Sequence, residues 1–169
     1  MSQDRCYCET FWVKKFNINL NESTWENVFK YVKETKLQEI QWKILHNIFP
    51  TNVLLNRMGI KNSEKCDQCN ETDHLEHYFY NCLKVKYLWT TINQMITNKI
   101  NRVIRLNELS ILLGIEQDKR YVELNFQEIK FIKNIVLIGK LSIIKSKTIN
   151  VRVGLIFEKE IRLRNIDHN

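Results

Sequence analysis

The sequence contains few residues that interrupt a helix: four glycines and a single proline, Pro50, among 169 residues. Helices joined by short loops are therefore expected. No segment approaches the roughly 18 uncharged apolar residues that a membrane span requires. The first residues also lack the basic start and apolar run of a signal peptide. We therefore expect a soluble, intracellular protein with no membrane partner.

The bulk composition favours a single compact domain, because 44% of the residues are hydrophobic in a chain of 169. Within it we expect an N-terminal helical segment over residues 1–64, a small module over 65–83 and a C-terminal helical segment over 84–169. The 26 Lys and Arg residues outnumber the 19 Asp and Glu residues, which gives a formal net charge of +7. Such a surface attracts polyanions, among them RNA, DNA and acidic membranes.

Capping residues and apolar periodicity predict two helices in the first third of the chain. Ser23 stands at capping-box spacing before Glu26, which predicts a helix that opens at Ser23. Thr35 predicts the start of a second helix, whose apolar face extends to Ile48 and which Pro50 stops.

Three further helical pieces follow in the middle of the chain. Thr51 is predicted to cap a short helix that Gly59 terminates. Apolar residues from Val85 to Ile96 keep helical spacing, and a shorter apolar piece ends at Gly114.

The longest predicted helix lies near the C-terminus. Asn125 and Glu128 stand at capping-box spacing, and residues 126–147 are apolar on most sides, which predicts a centrally packed helix. Three lysines recur every seven residues along this helix: Lys133, Lys140 and Lys147. They form one charged stripe, which is interpreted as a solvated face.

A last helix is expected over roughly residues 153–165, with Lys159, Arg162 and Arg164 facing outward. The β-branched run "LSIIKSKTINVRV" leaves a strand open as an alternative.

Cysteine is scarce but clustered. Three of the five cysteines and two of the four histidines lie in "KCDQCNETDHLEHYFYNC", residues 65–82. Disulfides are rare in a reducing compartment, so such spacing favours metal ligands. The pattern C-x2-C-x7-H-x4-C suits tetrahedral Zn2+, which thiolate and imidazole bind well. The predicted ligands of one structural zinc are Cys66, Cys69, His77 and Cys82.

Four protein ligands saturate zinc and leave no open position for water, so the site is predicted to be structural rather than catalytic. Asn70 follows the first pair and tolerates the left-handed backbone that such a turn often needs. His74 competes with His77 for the third ligand position; we favour His77 for its spacing to Cys82. The pair Cys6 and Cys8 is interpreted as two ordinary thiols. The expected fold is thus mainly α, a small helical domain with a CCHC zinc knuckle embedded between helices.

Three stretches accompany this cluster: "LQEIQWKILHNIFPTNVLLNRMGI" before it, "EHYFYNCLKVKYLW" across its last two ligands, and "ELSILLGI" after it. Together they resemble the C-terminal region of the reverse-transcriptase polyprotein of non-LTR retrotransposons of the long interspersed element type, including its zinc-binding module. The resemblance covers roughly residues 35–115. Asn70 stands where family members often carry glycine, and this departure removes no ligand.

The resemblance implies an RNA- or DNA-contacting tail of an enzyme whose catalytic parts lie elsewhere. It also implies the remaining polyprotein or a ribonucleoprotein as partner, and a location in the nucleus, the cytoplasm or both. The paired aspartates that polymerase chemistry needs are absent, since no two aspartates are adjacent. Related elements carry a nuclease after the knuckle, entered by a basic residue, proline and aspartate, but here the only proline precedes the knuckle. The chain itself is therefore expected not to be an enzyme.

Two functions follow. The first is a zinc-dependent module that binds RNA or single-stranded DNA through basic residues around the ligands: Arg57, Lys61, Lys65, Lys84 and Lys86. Tyr78, Tyr80 or Trp89 could add base stacking if exposed, although Trp89 fits the core better. The alternative is a structural or protein-interaction domain, a retrotransposon remnant in which zinc only stabilises the fold.

Overall fold

A computed structural model describes residues 7–20 and 22–166. Those residues form helices and turns, and their β-type pairing is limited to an isolated bridge between Lys65 and Thr72. This confirms the expected mainly α fold. The α-helices are α1 (Tyr7–Phe16), α2 (Glu22–Lys30), α3 (Thr35–Leu45), α4 (Asn52–Arg57), α5 (Leu83–Ile100), α6 (Glu108–Leu112), α7 (Phe126–Ile149) and α8 (Val153–Leu163).

Helix α7 is the central element, against which α3, α5 and α8 pack. Its predicted capping box is present: the Asn125 side chain accepts hydrogen bonds from the backbone at Gln127 and Glu128. The Glu128 carboxylate accepts one in return from the Asn125 N–H. Gly139 lies against α5, because a Cβ there would stand 2.7 Å from the Ile92 Cδ1 atom and 3.3 Å from the Trp89 ring. A side chain at position 139 would therefore require Ile92 to shift.

Helix α1 was not predicted. It is held by Trp12, which is fully buried and whose Nε1–H donates a hydrogen bond to the Leu45 carbonyl at 2.8 Å. The Trp12 ring also stacks on Phe16, with 5.9 Å between ring centroids. Helix α1 therefore depends on a tertiary contact 33 residues away in sequence.

The predicted start of α2 and the predicted capping role of Thr35 need correction, whereas α3 does start at Thr35. Ser23 lies inside α2, which already includes Glu22, so the helix does not open at Ser23. Thr35 is the first residue of α3 rather than its cap, and the Glu34 position that precedes it makes no side-chain capping bond. Ile48 lies beyond the end of α3 and is about half exposed.

The other local predictions are confirmed. The Thr51 hydroxyl accepts a hydrogen bond from the Leu54 N–H at 3.3 Å and caps α4, and Gly59 follows that helix with φ +72°. Helices α5 and α6 cover the predicted apolar pieces. The run that left a strand open is helical through Ile149, and α8 follows.

The lysine stripe on α7 is not a solvated face. Lys133 pairs with Glu116, and Lys140, which is 1% exposed, donates to the Gln41 Oε1 atom at 2.5 Å. Lys147 lies next to Asp73. Neighbouring elements cover α7 on most sides, so each of the three lysines is directed toward a different neighbouring element. Each lysine makes a polar contact there.

Arg164 is likewise not directed outward. Its guanidinium lies 2.7 Å from the Glu34 carboxylate and 2.8 Å from that of Glu160, which joins the end of α8 to the start of α3. Lys159 and Arg162 are exposed as predicted. No helix in the described ranges is long and apolar enough to cross a membrane.

Burial lowers the pKa of the Lys140 amine well below its usual range, and nearby Lys133 lowers it further, while Glu116 opposes both. The Lys140 amine therefore binds fewer protons in the folded state than in the unfolded chain, where lysines have a pKa of about 10.4. The contribution of Lys140 to the free energy of unfolding must therefore rise with pH until the pH reaches the pKa of an unfolded lysine.

We therefore expect the free energy of unfolding of Lys140→Met, relative to the natural chain, to fall by about 1 kcal/mol or more between about pH 7 and 10. Denaturant unfolding across this range measures it. The exposed Lys130→Met on the same helix is the control and should show no such trend. A constant difference for Lys140→Met would show that Lys140 is charged in the folded state.

Candidate metal centre

The four residues singled out by their spacing converge in the structure. The ligand atoms of Cys66, Cys69, His77 and Cys82 all lie within 4.8 Å of one another. The Cys69 Sγ atom is 3.2 Å from the His77 Nε2 atom and 3.8 Å from the Cys82 Sγ atom. Cys66, Cys82 and His77 are buried, and Cys69 is partly exposed.

Cys66 and Cys69 are placed by a tight turn. The Cys66 carbonyl accepts a hydrogen bond from the Asn70 N–H at 2.9 Å, and the Cys66 N–H donates to the Glu71 carbonyl at 2.7 Å. Asn70 adopts the left-handed conformation, with φ +61°, as the sequence predicted. The chain thus reverses immediately after the second cysteine, so that both thiols face the same side.

His77 and Cys82 are placed by a different turn, a π-helical segment over His77–Asn81. The Cys82 N–H donates to the His77 carbonyl at 3.0 Å, a bond between residues five apart. The Trp89 Nε1–H fastens this turn to α5 by donating to the Phe79 carbonyl at 2.6 Å. The spacing of four residues between the last two ligands therefore matches one π-type turn.

The electrostatics of the cluster suit a divalent cation. Burial, together with the neighbouring Cys66 and Cys69, raises the pKa of the Cys82 thiol to about 11, although a backbone hydrogen bond at Lys84 opposes this shift. Burial also lowers the pKa of His77, although the negative charge of Asp73 opposes this shift. A lowered pKa favours the neutral imidazole. Three crowded thiolates need a central positive charge, and a neutral imidazole has a nitrogen free for a metal.

The distances test whether zinc fits. In a tetrahedral site with Zn–S bonds of about 2.3 Å, two sulfur atoms lie about 3.8 Å apart. The Cys69–Cys82 separation of 3.8 Å has this value. It also excludes a disulfide between these two residues, whose sulfur atoms would be about 2.05 Å apart.

A second set of contacts surrounds the cluster. Asp73 is 2% exposed, and its Oδ2 atom accepts a hydrogen bond from the Asn52 N–H at 3.1 Å. The Asn52 side chain donates to the Lys65 carbonyl at 2.6 Å. The start of α4 is thereby joined to both ends of the turn that carries the first two cysteines. Asp73 was missed by sequence reasoning, since no spacing rule marks it.

The remaining candidate ligands lie elsewhere. His74 is exposed, is not part of the cluster and lines a different groove, between α1 and α4. Cys8 is buried in α1. Cys6 lies outside the described residues.

The aromatic residues proposed for base stacking are mostly covered. Trp89 is 3% exposed and belongs to the core. Tyr78 packs edge-on against Phe49, and it is only partly exposed, as is Tyr80. Tyr87 of α5, which sequence reasoning missed, is 76% exposed.

The five predicted basic contacts do not form one surface. Lys61 is neutralised by Asp67, whose Oδ2 atom lies 2.8 Å from the lysine Nζ atom. Arg57 lines the groove between α1 and α4, away from Lys84. Lys86 is two residues beyond Lys84, about 200° further around α5. The four cations other than Lys61 are exposed and make no salt bridge within the described part of the chain.

We call the turn that carries Cys66 and Cys69 the metal turn. Lys84 lines a groove of about 920 Å³ beside this turn, and we call it the α5–α8 groove. Its basic residues are Lys84 and Arg152, and its exposed aromatic is Tyr87. Sequence reasoning did not identify Arg152, because no local pattern distinguishes it. The whole groove is lined by Asp67, Gln68, Leu83, Lys84, Tyr87, Ser146, Asn150, Val151, Arg152, Val153, Gly154, Leu155 and Glu158.

A helical chain whose turns bring three thiols and one imidazole within 4.8 Å of one another belongs to the class of zinc-binding proteins. The model of the family described as zinc-binding in reverse transcriptase matches residues 5–89, half of the chain, and the protein belongs to this family. The zinc cofactor expected from the spacing is thereby confirmed. No curated protein matches the chain.

We expect the purified protein to hold one Zn2+ per chain and to protect Cys66, Cys69 and Cys82 from alkylation until a strong chelator is added. Cys8 should stay protected after chelation for as long as α1 stays packed, because its protection comes from burial. Metal analysis with site-resolved mass spectrometry measures both. Three thiols that react equally fast with and without chelator would contradict the zinc site.

Proposed function

We propose that this protein is a zinc-dependent, non-catalytic module that binds single-stranded nucleic acid, RNA or DNA, in the α5–α8 groove. The observation that carries the proposal is the composition of this groove: two cations and an exposed tyrosine beside the Cys3His cluster. Zinc orders the turn that forms one wall of the groove. Membership in the reverse-transcriptase zinc-binding family supports a nucleic-acid partner.

The charge of the groove favours phosphate. Both carboxylates that line it are paired: Asp67 with Lys61 at 2.8 Å, and Glu158 with Arg162 at 3.9 Å. Lys84 and Arg152 make no salt bridge within the described residues, so their charges are available to a ligand. Lysine and arginine that neutralise phosphates supply most of the affinity for nucleic acid when no sequence is read.

The aromatic content favours unpaired bases over a duplex. The Tyr87 ring stands one helical turn from Lys84 on the same face of α5. A base stacked on such a ring contributes about 1–3 kcal/mol, and every base offers a flat face, so little sequence preference is expected. A regular duplex keeps its bases stacked on one another and would use only the two cations.

Lys65 extends the same surface. It is exposed on the turn that carries Cys66 and Cys69, and this turn contributes Gln68 to the α5–α8 groove. A strand leaving the groove past Gln68 would reach Lys65. Arg57 and Lys86 point to other sides of the molecule and have a smaller part in this proposal.

We expect the affinity of the zinc-loaded protein for labelled single-stranded RNA to fall by about tenfold between about 50 and 200 mM salt, because each of two or three phosphate contacts contributes a slope of roughly −0.7. The double variant Lys84→Glu/Arg152→Glu should weaken binding at low salt by about tenfold or more, since two phosphate contacts become repulsive. Fluorescence anisotropy measures both, with single-stranded DNA and duplex DNA as comparison ligands.

The matched control is Lys36→Glu/Lys130→Glu, which changes the net charge equally at two exposed lysines outside the groove. It should weaken binding much less. Equal losses in the two double variants would show general charge attraction and no groove. A lack of binding even at low salt would favour the alternative, a structural or protein-interaction domain.

The non-catalytic part of the proposal has its own test. Glu158 and Glu160 flank Lys159 and are the candidate carboxylates for a nuclease. Glu160 is 3% exposed and pairs with Lys145 and Arg164, which leaves it no room for a metal ion. We therefore expect zinc-loaded protein to leave labelled RNA and DNA intact in the presence of Mg2+, as judged on a denaturing gel. Cleavage that copurifies with the protein would overturn the assignment.

A further inference from the structure

We propose that Lys147, in the last turn of α7, is a positioning residue of the metal centre: its ammonium group balances the charge of the zinc-bound thiolates and holds the metal turn against α7. This goes beyond the proposed function and does not depend on it. Lys147 lies 58 residues beyond the end of the segment that matches the family, so the metal centre would be completed by a part of the chain outside that segment.

Three contacts place the ammonium group. The Lys147 Nζ atom is 3.8 Å from the Cys66 Sγ atom, 3.3 Å from the Asp73 Oδ1 atom and 3.6 Å from the centre of the Tyr78 ring. Its side chain is only 12% exposed. All three partners belong to the segment that carries the ligands, so a single side chain of α7 holds this segment at three points.

The charge balance gives the ammonium group a role. Zn2+ with three thiolates and a neutral imidazole has a net charge of −1, so the metal-loaded cluster keeps negative charge on its sulfur atoms. A cation 3.8 Å from one sulfur atom therefore stabilises the loaded cluster more than the empty one. An N–H donor on a thiolate also withdraws electron density from the sulfur, which slows its attack on electrophiles.

A merely structural role would give a different result. In that case Lys147 would serve only to pair with Asp73, a buried carboxylate whose other oxygen atom accepts from the Asn52 N–H. Removing either partner would then have the same consequence. In the charge-balancing role the two partners act in opposite directions, because Asp73 adds negative charge near an already anionic cluster and Lys147 removes it.

The experiment measures Zn2+ affinity of the full chain by competition with a chromophoric chelator. Lys147→Met should lower the affinity by about tenfold or more, in the range seen for partners of metal ligands, and should speed alkylation of Cys66 in the loaded protein. Lys147→Arg should restore most of the affinity, since it keeps the charge. Asp73→Asn keeps an oxygen atom for the Asn52 N–H but removes a negative charge beside the cluster, so it should raise the affinity.

The matched control is Lys145→Met, two residues away on α7, which loses a salt bridge to Glu160 but no contact with the cluster. It should bind zinc as the natural chain does. Equal losses of affinity in Lys147→Met and Asp73→Asn would overturn the proposal in favour of a structural ion pair. If Lys147→Met does not fold, the Asp73→Asn variant still tests the proposal, because a loss of Zn2+ affinity in that variant would overturn the charge-balancing role.

Discussion

The convergence of two unlike turns on one point is the constraint on which the rest of this structure depends. The left-handed residue Asn70 reverses the chain after Cys69, and a π-type turn brings Cys82 back to His77. The first turn buries no large apolar side chain, whereas the π-type turn buries Phe79. A structural zinc contributes about 10 kcal/mol or more to folding, enough to order the segment between α4 and α5 and to set the direction in which α5 leaves it.

Helix α7 provides the second constraint, because it is covered by α3, α5 and α8. A helix buried on most sides cannot keep a solvated stripe, so each of its three spaced lysines requires an interior partner. One meets a carboxylate, one an amide oxygen, and Lys147 meets the metal turn. The C-terminal half of the chain is thereby coupled to a metal centre whose four ligands all come from the N-terminal half.

The proposed binding surface arises from this coupling. The α5–α8 groove exists because the metal turn, the start of α5 and the turn between α7 and α8 meet at one place. Lys84 and Tyr87 come from one side of it and Arg152 from the other. Loss of zinc would therefore be expected to act on the groove through the wall that the metal turn forms, rather than by removing a direct contact.

The sequence by itself determined what depends on residues close in the chain. Thr51 and Asn125 could be read as caps because a capping bond spans two or three residues, and the ligands could be read from spacing because each pair occupies one local turn. Only the tertiary structure decided the partners of Trp12, Lys147 and Arg164. Which elements face a side chain follows from packing across long sequence separations, and local periodicity contains no information about it.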